Sequence, residues 1–302
     1  MGDIWEAFSI NQAGQVDPAS VRLTLRCINA LTTSLPPNGG MDQKIDPTGV
    51  DAYKPAEVAI RIEEAGVRKA TLPAVPLLTL SVLAGAFIAL GAAAFTAVLA
   101  GTTPGFGPAR LLGGITFATG LILVVVAGAE LFTGNTLIVM AWVDRRVGTA
   151  ALLRNWAYAF TGNLIGALAV VLLMGLSGLL DGPKGDTARA IAEAKVALGP
   201  VEAFTRGILC NMLVCLAVWV SFAARGVADK ILGIVFPISA FVLLGYEHSI
   251  ANMYLIPMGW ALGADVTPAT FLGNLVPVTL GNIVGGAGGV ALTYWLAYRP
   301  KP

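Results

Sequence analysis

Apolar residues fall in long blocks along this chain, separated by short polar or charged stretches. Six blocks are readable, at approximately 72–101, 109–143, 149–180, 200–224, 229–262 and 267–297. About 20 apolar residues cross a hydrocarbon core about 30 Å thick. The pattern therefore predicts an all-α integral membrane protein of six transmembrane helices. The second and fifth blocks are interrupted, at Leu131–Asn135 and Gly245–Asn252. Their fragments read as too short to cross alone, so each pair is expected to make one crossing with irregular backbone in its middle. Such backbone persists at membrane depth only where protein buries it or it lines a wet cavity.

The interruptions repeat. Gly128–Asn135 reads G-A-E-L-F-T-G-N and Gly245–Asn252 reads G-Y-E-H-S-I-A-N, both G-x-E-x-x-x-x-N and 117 residues apart. Gly162-Asn163 likewise echoes Gly281-Asn282, 119 residues on. Each half then holds three spans, an odd number, so the halves insert with opposite orientation as an inverted repeat. Matching broken helices in two halves are the best sequence pointer to a transport site. Gly162, Gly166, Gly281, Gly285, Gly286, Gly288 and Gly289 are expected to let helices pack closely.

Outside the spans, residues 1–54 read as a cytoplasmic tail, poorly ordered or separately docked, with a Pro36–Gly40 loop cluster and no apolar leader segment. Residues 55–70 predict a short helix opened by Pro55 at its first position. Val58, Ile62 and Ala65 share a face and Arg61, Glu64 and Arg68 occupy others, which suits a helix lying on the membrane surface. Residues 71–298 form the expected six-helix transport domain. Ten basic residues (Arg61, Arg68, Lys69, Arg145, Arg146, Arg154, Arg225, Lys230, Arg299 and Lys301) fall on one side of that topology, against Arg110, Lys184, Arg189, Lys195 and Arg206 on the other. The positive-inside rule puts both termini in the cytoplasm of a cell whose inner (plasma) membrane carries the protein.

Composition agrees: 56% of 302 residues are hydrophobic and 12% charged, with mean hydropathy +0.76, so most of the surface faces something other than water. A net charge of +1 argues against a nucleic-acid partner. Cys27, Cys210 and Cys215 are too scattered for a disulfide framework or a zinc site, and no cofactor is implied.

The polar residues inside the spans narrow the chemistry. A carboxylate there costs about 2.5–3.5 kcal/mol on insertion scales, so Glu130 and Glu247 need a reason. Accepting from N–H groups of the loop, they would brace irregular backbone. His248 is the only histidine, sits at a break, and belongs to the one side-chain class that ordinarily titrates near neutral pH. Thr133 supplies a hydroxyl in the other break, where its equivalent is Ile250, and Asn211, Asn274 and Asn282 add neutral donors. These groups suit a small monovalent anion. Lys195 and Arg206, at the mouth of span four, would raise its local concentration. A single imidazole makes no metal site. An intramembrane enzyme would need further catalytic groups that are missing, and a neutral-solute channel of the aquaporin kind would carry paired Asn-Pro-Ala motifs, which this sequence lacks.

From about Tyr53 to Tyr298 the chain resembles the formate/nitrite transporter family. The resemblance rests on Gly128–Asn135, on Asn211–Trp219 (N-M-L-V-C-L-A-V-W) and on Gly245–Gly259 (G-Y-E-H-S-I-A-N-M-Y-L-I-P-M-G). It implies an aquaporin-like protomer in a homopentamer within the lipid bilayer, carrying formate, nitrite or hydrosulfide, passively or with a proton. The stretches in spans four and five look more like those of formate carriers. The family's central histidine falls on His248, its loop threonine on Thr133, its entrance lysine on Lys195, and its pore-adjacent asparagines on Asn211, Asn252 and Asn282. Constriction positions fall on Phe117, Leu121 and Phe241 on the outer side and Leu131, Phe132 and Val214 on the inner. The first break reads F-T-G-N where some formate channels have F-T-S-T, a departure that separates this loop from theirs.

Overall fold

A computed structural model describes residues 51–299, and all regular structure among them is helical. The expected tail lies outside the described residues except for its last few positions. Helix α1 runs Pro55–Ala70 and α2 Ala74–Leu99. Helix α3, Gly107–Ile122, continues through π-helical turns to Gly128. After a break come α4, Phe132–Asn135, a 3₁₀ turn, and α5, Val139–Val143. Then follow α6, Thr149–Leu176, α7, Pro183–Val196, and α8, Pro200–Ala223. A second broken pair, α9 (Val227–Leu243) and α10 (Ser249–Ala261), precedes α11 (Pro268–Ile283), which continues through π-helical turns into α12 (Thr293–Tyr298).

Five helices among the described residues are long and apolar enough to cross a membrane: Ala74–Leu99, Gly107–Gly128, Thr149–Leu176, Pro200–Ala223 and Pro268–Tyr298. The fifth expected span is not one of them, because its break leaves pieces of 17 and 13 residues. In the second, Gly107–Gly128 alone reaches 22 residues, so the expectation that every fragment is too short fails there. The first break begins earlier than expected, at Gly128 and not at Leu131, while the second begins at Gly245 as expected. Gly128 (φ +87) and Gly245 (φ +72) end the first fragments in the left-handed region, the usual glycine stop. Extended residues follow, and helix resumes at Phe132 and Ser249. Thus Phe132–Asn135 and Ser249–Asn252, assigned to the breaks from sequence, already form the first turns of the second fragments.

Glycines set the closest helix crossings. A Cβ on Gly166 of α6 would collide with the Val82 carbonyl of α2, and one on Gly285 would collide with the Ile208 carbonyl of α8. Gly288 meets no neighbour. Helix α1 buries Val58, Ala59, Ile62 and Ala70 against Leu137–Ala141 and Trp219, leaving Arg61, Glu64 and Arg68 exposed. Its apolar face is therefore satisfied by the chain itself. Glu63, fully buried, receives Arg146 at 2.8 Å and Arg299 at 3.2 Å, and Arg299 also pairs with Asp144. The hydrogen bond to Glu63 raises the Arg146 guanidinium above its ordinary pKa, so that group stays charged at any physiological pH. The ion cluster ties α1 to the α5–α6 turn and to the end of α12.

Candidate functional site

The two breaks meet. Thr133 Oγ1, in the first turn of α4, lies 2.9 Å from His248 Nε2 at the start of α10, and both residues are buried. His248 is also the N-cap of α10, its Nδ1 accepting the Ala251 N–H at 3.1 Å. A nitrogen that accepts carries no proton, so the neutral ring holds its proton on Nε2 and donates it to the threonine hydroxyl. The helix cap thereby fixes the tautomer that faces Thr133.

Each break is held by the same set of bonds. Glu130 accepts from Lys69 Nζ at 2.7 Å and from Asn135 Nδ2 at 2.8 Å. Glu247 accepts from Lys195 Nζ at 2.8 Å and from Asn252 Nδ2 at 2.7 Å. Asn155 accepts from Asn135 at 2.9 Å and donates to the Lys69 carbonyl at 3.0 Å. Asn274 accepts from Asn252 at 2.7 Å and donates to the Lys195 carbonyl at 2.8 Å. Deeper, Asn163 accepts the Phe132 N–H at 2.9 Å and donates to the Ser81 and Glu130 carbonyls. Asn282 accepts the Ser249 N–H at 2.9 Å and donates to the Gly207 and Glu247 carbonyls. The restarting backbone N–H groups thus go to asparagines. The carboxylates take side-chain amides and a lysine instead of the loop N–H groups expected from sequence. Asn211 Nδ2 spans the two systems, reaching the Asn282 carbonyl at 2.6 Å and the Thr133 carbonyl at 3.2 Å.

A cavity of about 280 Å³ opens on the Lys195 side and reaches His248, with Asn252, Phe117 and Phe241 in its lining. Beyond it, a pocket of about 10 Å³ is lined by Phe117, Leu121, Phe241, Leu131, Val214 and His248, together with Ile88 and Ile238. That is room for about one water, so the apolar residues around the imidazole form a nearly closed waist. Phe117 meets Phe241 edge-on at 5.5 Å, and Phe241 stacks on the His248 ring at 6.1 Å. Phe132, grouped with these positions from sequence, does not line the pocket. Its ring packs edge-on against Trp156 and Phe160.

Several residues escaped the sequence reading. Lys69 lies 61 residues before Glu130, in a helix with no outward sign of a site, although its place matches that of Lys195. Asn155 carries no motif. Asn163 was legible only as half of a repeated Gly-Asn pair. Among the described residues no cluster of three metal-binding side chains occurs.

Known proteins of similar sequence and structure identify the family. The family described as "Formate/nitrite transporter" matches residues 56–296. The chain is 44% identical over 271 residues to the formate channel FocA of Escherichia coli (strain K12), covering 82% of this chain and 95% of that one. Among solved structures it resembles a pentameric formate channel with formate bound, at TM-score 0.68 and 38% identity, covering 75% of this chain and 98% of that one. It also resembles an FNT family ion channel at TM-score 0.75 and 31% identity, covering 82% and 99% respectively.

Proposed function

Because the chain belongs to the formate/nitrite transporter family, a family of multi-pass membrane transporters and not of enzymes, we propose that it passes formate across a membrane through the Thr133–His248 contact. The observation that carries this reading is the hydrogen bond itself, joining two helix breaks at the foot of a cation-lined cavity. Formate enters from the Lys195 side and loses water at the Phe117–Phe241 waist. Burial disfavours the charged form of a carboxylate, so desolvation raises the acid's proton affinity. The Nε2–H of His248 and the Thr133 hydroxyl, each released by the other, bond the two oxygens. The proton that neutralises formate travels with it, exchanging at the imidazole. Nitrite and hydrosulfide are the alternative cargoes.

The remaining parts follow the same reading. Each broken pair makes one crossing, giving six in all, and the matched bond sets of the breaks support two inverted three-helix halves. Both termini lie in the cytoplasm of a plasma-membrane protein, with α1 along that surface and the Lys195 cavity opening outward. The formate channel of similar structure is pentameric, which supports a homopentamer with one path per protomer. Lys195 and Arg206 add to the positive field of the cavity mouth, Glu130 and Glu247 brace the breaks with Asn252 and Asn282, and Asn211 couples them.

Formate uptake into proteoliposomes is expected to rise as pH falls from roughly 8 to 5, because the imidazole is more readily resupplied with the proton it exchanges. In His248→Asn that dependence is expected to vanish. A variant with the wild-type pH profile would exclude the imidazole from proton exchange.

A further inference from the structure

The outer cavity carries three cations and one carboxylate: Arg110, Lys195, Arg206 and Glu247. Two of the cations are already engaged. Lys195 Nζ is held by Glu247 at 2.8 Å with only 15% of its side chain exposed, and Arg206 pairs with Glu202 and reaches the Gly245 carbonyl at 3.3 Å. Glu247 is in turn taken up by Asn252. Arg110 lies half-buried in the first turn of α3, and its guanidinium has no ion-pair or hydrogen-bond partner among the described residues. Its Nη1 lies over the second break, 3.3 Å from where a Cβ on Gly245 would sit, so the absence of a side chain there gives the guanidinium its place.

We infer that Arg110, and not Lys195, is the docking point where the anion is first held. The inference rests on the proposed path through this cavity and adds a residue to it. A guanidinium presents parallel N–H donors that match a planar two-oxygen anion, and it stays charged under all conditions. Lys195, its charge offset by a carboxylate 2.8 Å away, mainly holds the break. An unpaired cation in a low-dielectric mouth concentrates anions, and salt screens that effect. Formate and nitrite fit the two-pronged contact. Hydrosulfide, with one heavy atom, uses only the charge.

The test is initial formate flux against formate concentration in proteoliposomes, at low and high ionic strength, for wild type, Arg110→Lys and Arg110→Gln. Arg110→Gln is expected to raise the half-saturating concentration about fivefold and to flatten its salt dependence. Arg110→Lys should keep the salt dependence and lie between the two for formate, while matching wild type for hydrosulfide. Should the glutamine variant fail to assemble, Arg110→Cys in one preparation, labelled with either a cationic or an anionic methanethiosulfonate, replaces it. The cationic adduct should saturate at lower formate, and equal curves overturn the dock. A conducting wild type with an indistinguishable Arg110→Gln overturns the dock alone. A wild type that passes no formate overturns the path, and the dock with it.

Discussion

The break at Gly128–Asn135 and the break at Gly245–Asn252 share a frame but not a content. Both end a helix on a left-handed glycine, and both set a buried glutamate between a lysine and an asparagine. Both hand the first N–H of the resumed helix to an asparagine from a neighbouring span. At the positions between, the two part company: Leu131 stands where the other break has His248, and Thr133 where it has Ile250. Strict repetition of either break would give two threonines or two histidines; the difference gives one of each, meeting at 2.9 Å. The difference teaches that the frame fixes where irregular backbone can survive, while the few unmatched residues fix what can be bound there. Irregular backbone inside a membrane protein is costly in unpaired polar groups. The shared frame meets that cost in both breaks and leaves the other positions free to differ.

The sharpest way to break the comparison is to attack the frame. Asn282→Leu strands the Ser249 N–H and the carbonyls of Gly207 and Glu247, and Asn163→Leu does the same in the first break. Each is expected to cost about 3 kcal/mol or more, with unfolding in detergent at markedly lower temperature. A large loss in one and none in the other would end the claim of equivalence. Glu247→Gln and Glu130→Gln should follow, at about 1–3 kcal/mol, with the first the larger because Lys195 is 15% exposed and Lys69 31%. The reverse order in thermal denaturation would show that burial does not rank the two pairs. Smallest of all, Ile250→Thr places a second hydroxyl at a fully buried position. A buried hydroxyl in place of packed methyl groups is expected to cost about 1 kcal/mol, with formate flux unaltered. A rise in flux would mean that the hydroxyl is wanted in both breaks.

Much of this was legible in the sequence because it depends on composition over long stretches. The apolar blocks coincide with the helices to within a few residues, and the glycine–glutamate–asparagine spacing located both breaks. The start of the first was misplaced, because the left-handed Gly128 stops that helix three residues before Leu131, whereas the second was placed correctly at Gly245. Helix α7 went unread because its charged, alanine-rich segment looks like any surface connection. His248 and Thr133 were each named through family resemblance, but the locking of the tautomer by the Ala251 N–H was not foreseen, since caps of that kind need coordinates. Lys69 and Asn155 were missed for a related reason. A bond across 61 residues leaves no periodic trace. Phe132 shows the converse limit, an aromatic in the right motif whose ring turns toward Trp156 and Phe160 and away from the waist.

What matters most is whether the imidazole and the hydroxyl act as one site in the path. A double-mutant cycle of Thr133→Val, His248→Asn and both together, read as formate flux in proteoliposomes, measures that directly. Each single change should lower flux about tenfold or more, and the double variant should be no worse than the poorer single one. Single changes without effect, or losses that simply multiply in the double variant, would mean that the two groups do not share the passing anion.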